Sequence, residues 1–237
     1  MSRYAIRGGH NSLAIGANGI VNEVTEDRKI TASVIKWLKI DKNEVIDVTP
    51  YPCISAEDLK RGASDANIHK VDIFASIHLN AANGQGKGTE VLYYGSSVTG
   101  KALATRVCNS ITKLGFISRG AKSDIRGLYE LKHTDMPAII VECFFCDSAV
   151  DVALYKKLGV DTISKAIAEG IVNHPIVVPI VKITIKPTND VLLLQQICNA
   201  LKITDNNAKA LIEDGLIGVN TLAAKAKLKV ILQNILK

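Results

Sequence analysis

The sequence predicts an α/β fold, a mostly parallel twisted sheet flanked by helices, joined to a small all-helical C-terminal domain. Three observations predict it. Short apolar runs alternate with helix-period segments up to about residue 173, the signature of β-α-β architecture. The runs Val71–Ile77 and Ala138–Val141 have the apolar character of strands buried between helix layers. Beyond residue 190 the apolar spacing is helical.

The elements follow in order. Tyr4-Ala5-Ile6 forms the first strand, which Gly8-Gly9 turns toward His10. Ile30, Val34 and Leu38 keep a four-residue rhythm after Asn22-Glu23, so Glu23 lies near a helix start. Glu44–Val48 reads as a strand. Ser55, with Glu57 and Asp58 behind it, opens a second helix carrying Leu59, Ala63 and Ala66. That helix leads to the strand that ends at His78. After a glycine-rich loop at 84–88, Thr89–Tyr94 is the next strand, and Leu103, Val107, Ile111 and Leu114 mark a helix stopped by Gly115. Ser118–Tyr129 has no clear period and is expected to be a long loop, either contacting substrate or merely connecting. Ala138–Val141 closes on Glu142, and Ile163, Ile167 and Ile171 mark the last helix of a domain spanning 1–173. Three prolines among β-branched residues make 174–189 an extended linker. In 190–237, Val191, Leu194, Cys198 and Leu201 define one helix, Glu213–Gly218 a turn, and Leu222–Leu236 another helix.

Composition narrows the function. With 47% apolar and 22% charged residues in a chain of 237, the protein is of the ordinary globular kind. No apolar stretch reaches the roughly 20 residues that span a bilayer, so no stable membrane association is expected. Met1-Ser2-Arg3-Tyr4 runs straight into the first strand, which implies synthesis in the cytoplasm without a signal peptide. Five cysteines, an odd number, point to reduced thiols. The net charge of +6 suits an anionic partner, whether nucleic acid, a membrane surface or a polyanionic cell wall. The 29 Lys and Arg are scattered and form no basic run interleaved with aromatics, which argues against nucleic acid.

His10, Glu23, His78 and Glu142 are the candidate site. In an open α/β sheet the carboxyl ends of the strands form the rim where ligands bind, so polar groups far apart in sequence can meet there. Two imidazoles and a carboxylate make a catalytic zinc set that leaves one position for water. Taken singly, each residue also has an ordinary reading: a turn histidine, a first-turn helix acid and a core histidine.

The segments Gly8-Gly9-His10-Asn11, Gly16–Glu23, Ser76–Ala81 and Pro137–Glu142, in that order, resemble the zinc-dependent N-acetylmuramoyl-L-alanine amidases of the amidase 3 type, the peptidoglycan hydrolases of autolysins and phage endolysins. The resemblance covers residues 3 to 172. It implies a zinc ion held by His10, Glu23 and His78, with Glu142 as acid or base, and bacterial peptidoglycan as substrate. Without a signal peptide, it further implies release to the wall by phage-mediated or mother-cell lysis. A zinc peptidase on cross-bridges and a wall-binding protein with a structural metal are the alternatives. The chain departs from the family pattern at Arg7, where an acid is common, at Asn11, where glycine is common, and at Cys143, where a small residue is usual. Cys143-Phe144-Phe145-Cys146 reads as core rather than as a redox pair. Asn80 is a candidate either for substrate contact or for orienting its loop, and His133 either for lining the cleft or for an exposed loop position. The segment Leu193–Thr221 resembles a three-helix peptidoglycan-binding module, with a stabilising helical appendage as the other reading.

Overall fold

The computed structural model describes residues 1–178, 190–205, 207–213 and 218–235. Most of the linker expected at 174–189, and the middle of the turn expected at 213–218, lie outside the described residues. The chain divides into two compact units, Met1–Val177 and Val178–Lys237.

In chain order the first unit contains β1 (Arg3–Gly8), α1 (Glu23–Ile40), β2 (Glu44–Asp47), α2 (Ser55–Ile68), β3 (Ile73–Asn80), β4 (Thr89–Tyr94), α3 (Val98–Thr112), β5 (Ser118–Asp124), α4 (Tyr129–His133), β6 (Ala138–Phe145), α5 (Ala149–Leu158) and α6 (Val160–Val172). The six strands form one sheet in the order β2-β1-β3-β6-β4-β5. Every pairing is parallel except β4 with β6.

Strand parity explains the two faces, because alternate side chains of a strand point to opposite sides. Tyr4 and Ile6, Ala75, Ile77 and Leu79, and Ile139, Val141 and Cys143 join the large core with residues of α1, α3 and α6 such as Val34, Val107 and Ile167. The opposite parity sends Ala5, Phe74, Ala138 and Ile140 into a smaller core with Ala66 of α2 and Leu131 beside them. Arg7, Ser76, His78 and Glu142 continue that second set toward the strands' carboxyl ends. The polar residues thus replace the apolar ones where the smaller layer opens to the rim.

Two expectations need correction. Ser118–Tyr129 is not a loop: its first part is β5, an edge strand bonded only to β4 and largely exposed, so it has no buried run to betray it. The strands carrying His78 and Glu142 run past them, to Asn80 and Phe145, because Leu79 and Cys143–Phe145 still find core. The sequence reading also passed over α5, although Ser148 caps it by accepting from Asp151 N. Cys143 and Cys146 are buried free thiols in the large core.

The C-terminal unit contains α7 (Asp190–Ala200) and α8 (Val219–Ile235), with Cys198, Ile203, Leu211, Ala224 and Leu228 forming its own small core. Among the described residues no helix is long and apolar enough to cross a membrane.

Candidate metal centre

His10, Glu23 and His78 come together. One ligand atom from each lies within 4.8 Å of the other two. His10 reaches the cluster from the turn after β1. Glu23 is the first residue of α1, whose cap Asn22 accepts from Thr25 N at 2.9 Å, and a helix N-terminus favours a carboxylate. His78 comes from the sheet itself, where the β3–β6 register shifts between His78 and Asn80. Such irregularities re-aim side chains.

Each ligand candidate is held by a second contact. His10 Nδ1 lies 3.2 Å from the Ala14 carbonyl, and its Nε2 lies 3.7 Å from Glu23 Oε2. His78 Nδ1 is 3.2 Å from Glu23 Oε1, while Nε2 is 3.0 Å from Ser76 Oγ. Glu23 accepts from Ala17 N at 2.5 Å and from Leu79 N at 3.0 Å. The two imidazoles meet edge to face with centroids 5.0 Å apart. Glycine is required on two sides: a Cβ at Gly9 would strike the His78 ring, and one at Gly16 would strike Glu23 Oε2 and His10.

The charges are matched to one another. Burial opposes a proton on His78, but the hydrogen bond to Glu23 together with the negative charges of Glu142, Glu130 and Glu23 outweighs it and holds the imidazole up at about 9. Burial and the neighbouring His78 together lower His10. Burial also works to raise Glu23, yet His78 and the Leu79 N–H keep it below the ordinary carboxylate value. The set therefore combines a neutral imidazole, an ionised carboxylate and an imidazole whose proton a cation would displace. Nitrogen and oxygen donors of this kind fit zinc, with a position left for water.

Glu142 sits opposite His78 in the β3–β6 register. Both line a cleft of about 320 Å³ with His10, Asp58, Arg126 and Tyr129. Its Oε2 is buried and has no hydrogen-bond partner among the described residues. Burial pushes this carboxyl up to about 7; Glu23 and Glu90 add to the rise and His78 opposes it. A carboxyl outside the ligand cluster, in a cleft and poised near neutrality, is suited to moving protons.

The other two candidates lie elsewhere. Asn80 donates to Glu90 Oε1 at 3.1 Å and accepts from Ala81 N at 2.9 Å, so its side chain braces the start of the β3–β4 connection. His133 is exposed at the end of α4, stacked on Tyr129 with centroids 4.0 Å apart. It is Tyr129 that reaches the cleft. The sequence reading missed Ser76, Asp58, Arg126 and Tyr129. For Ser76 a signal existed, since it shares strand parity with His78.

The family described as N-acetylmuramoyl-L-alanine amidase matches residues 5–173. An uncharacterized protein of Clostridium perfringens is 40% identical over 173 residues, covering 71% of this chain and 51% of its own. The endolysin of Bacillus phage SPP1 is 35% identical over 174 residues, covering 69% of this chain and 59% of its own. The chain thus spans about half the length of the curated relatives it matches. Among solved structures, the catalytic domain of the CD27L endolysin targeting Clostridia difficile superposes with a TM-score of 0.70 at 34% identity, over 75% of this chain and 100% of that one.

Proposed function

Because the chain belongs to the N-acetylmuramoyl-L-alanine amidase family, we propose that it is a zinc-dependent peptidoglycan hydrolase that cuts the amide between the lactyl group of N-acetylmuramic acid and L-alanine. The observation that carries the reading is a cluster of three donors, His10, Glu23 and His78, with a second carboxyl, that of Glu142, outside it in the cleft that His10 and His78 line, one of its oxygens without a hydrogen-bond partner among the described residues. A structural metal site has no use for that fourth group.

An amide is a weak electrophile with a poor leaving group. Its hydrolysis needs a strong nucleophile, a polarised carbonyl and a proton for the departing nitrogen. Zinc bound by His10, Glu23 and His78 supplies Lewis acidity and an activated water. The chain's residues supply the rest. Glu142 takes a proton from the attacking water and delivers it to the alanine nitrogen as the C–N bond breaks. Burial favours the protonated form needed for that second transfer. Ser76 and the Ala14 carbonyl orient the two imidazoles, and the Leu79 and Ala17 N–H groups hold Glu23.

The SPP1 and CD27L endolysins among the similar proteins support a lytic role after release to the wall, with phage origin as our reading. The C-terminal unit is proposed to hold the enzyme on peptidoglycan, which raises local substrate concentration without altering the chemistry. Digestion of purified peptidoglycan tests the bond assignment: new N-terminal L-alanine is expected, abolished by a chelator and restored by zinc. Intact muramoyl amides beside cut cross-bridges would make the protein a peptidase instead.

A further inference from the structure

His10 sits on backbone that its side chain does not favour. Its φ is +53°, in the left-handed region, which residues other than glycine seldom adopt. Two sets of contacts hold it there. On one side the Arg28 guanidinium donates to the carbonyl of Gly9 at 2.8 Å and to that of His10. On the other, Asn11 N and Ala14 N each donate to the other residue's carbonyl at 3.2 Å. Asn11 Oδ1 accepts from Leu13 N at 2.8 Å and from Ala14 N at 3.1 Å.

The asparagine is held in turn. It is 2% exposed, and its Nδ2 donates to Asp58 Oδ1 at 2.9 Å. The second oxygen of Asp58 accepts from Arg7 Nη2 at 2.5 Å, and Arg7 Nη1 lies 2.7 Å from Glu130. All four of these side chains are buried. At the far end of the chain of contacts, the Ala14 carbonyl faces His10 Nδ1 at 3.2 Å. A carbonyl can only accept, so this contact favours the proton on Nδ1, which in the neutral ring leaves the Nε2 lone pair on the side of Glu23.

We propose that Asn11 and Asp58 are positioning residues of the metal centre: Asp58, anchored by Arg7, holds Asn11, which shapes the 11–14 turn so that Ala14 fixes His10 as the Nδ1–H tautomer. This rests on the metal reading above for its purpose, but it also makes a claim about the metal-free chain. The chemistry selects asparagine at position 11. Its amide accepts two backbone N–H groups and donates to a carboxylate at once. Aspartate would set two carboxylates against each other, and serine would cap the turn without reaching Asp58.

The test uses the full chain and the variants Asn11→Ala and Asn11→Ser. Nitrogen-15 spectra of the histidine rings in the metal-free protein report the His10 tautomer, and competition with a chromophoric chelator reports zinc affinity. The wild type is expected to show His10 protonated at Nδ1. In Asn11→Ala the two tautomers are expected to mix and zinc affinity to fall about 10- to 100-fold, the usual effect of removing support from a ligand. Asn11→Ser, which preserves turn capping, is expected to fall between the two, and it decides the matter if Asn11→Ala does not fold. A folded Asn11→Ala variant with the wild-type tautomer and wild-type zinc affinity would overturn the proposal. If the wild-type chain takes up no zinc, the metal reading fails, and the tautomer in the variants still decides the positioning claim.

Discussion

Asp27 lies next to the His10, Glu23 and His78 cluster with no exposure to water; one oxygen takes a hydrogen bond from Arg28 at 2.7 Å and the other has no hydrogen-bond partner among the described residues. Burial pushes its carboxyl from 3.8 up to about 8, against the pull of Arg28. Between those two values the folded chain binds more protons than the unfolded one, so stability is greatest on the acid side of the window and declines as pH rises through it. Asp27→Asn removes the titration and keeps an acceptor for Arg28. In thermal melts of the metal-free protein from about pH 5 to about pH 8, the wild type is expected to lose more stability than this variant. Parallel melting curves would refute the assignment. Residue by residue, the sequence disclosed the groups whose chemistry is unusual: His10, Glu23, His78 and Glu142. It did not disclose what Asp58 and Asn11 hold in place. Their work is done through contacts across 47 residues of chain, and nothing local distinguishes Asp58 from any first-turn helix acid.

Helix and strand packing sets how well those groups are held. Gly170 of α6 faces α3 so closely that a Cβ there would come 2.6 Å from Val107 Cα, a backbone atom with no freedom to swing aside. Gly170→Ala is therefore expected to push the two helices apart and cost about 1–3 kcal/mol in denaturant melts, despite alanine's better helix propensity. A stabilised variant would show that the helices can separate freely. The elements legible in the sequence were those with a buried stripe: α1 through Ile30, Val34 and Leu38, and β3 and β6 through their apolar runs. β5 was not legible, because an edge strand with exposed Ser118, Arg119 and Lys122 carries no hydrophobic alternation. The antiparallel β4–β6 pairing was hidden too, since it depends on which neighbours meet rather than on either segment alone.

At the scale of the whole molecule, each of the two units has its own core, and the site lies entirely within the first. A chain ending at residue 177 is expected to keep full turnover on a small soluble muramoyl-peptide while losing activity on intact walls, because only the latter benefits from tethering. Equal loss on both substrates would assign the C-terminal unit to stabilising the catalytic one. The proposed division of labour, three metal ligands beside one carboxyl that binds no metal, turns on Glu142→Gln. Zinc content and amide hydrolysis are measured on the same preparation of that variant. One zinc per chain with hydrolysis reduced by about 10²- to 10⁴-fold is the expected result; undiminished hydrolysis, or loss of the zinc, would contradict it.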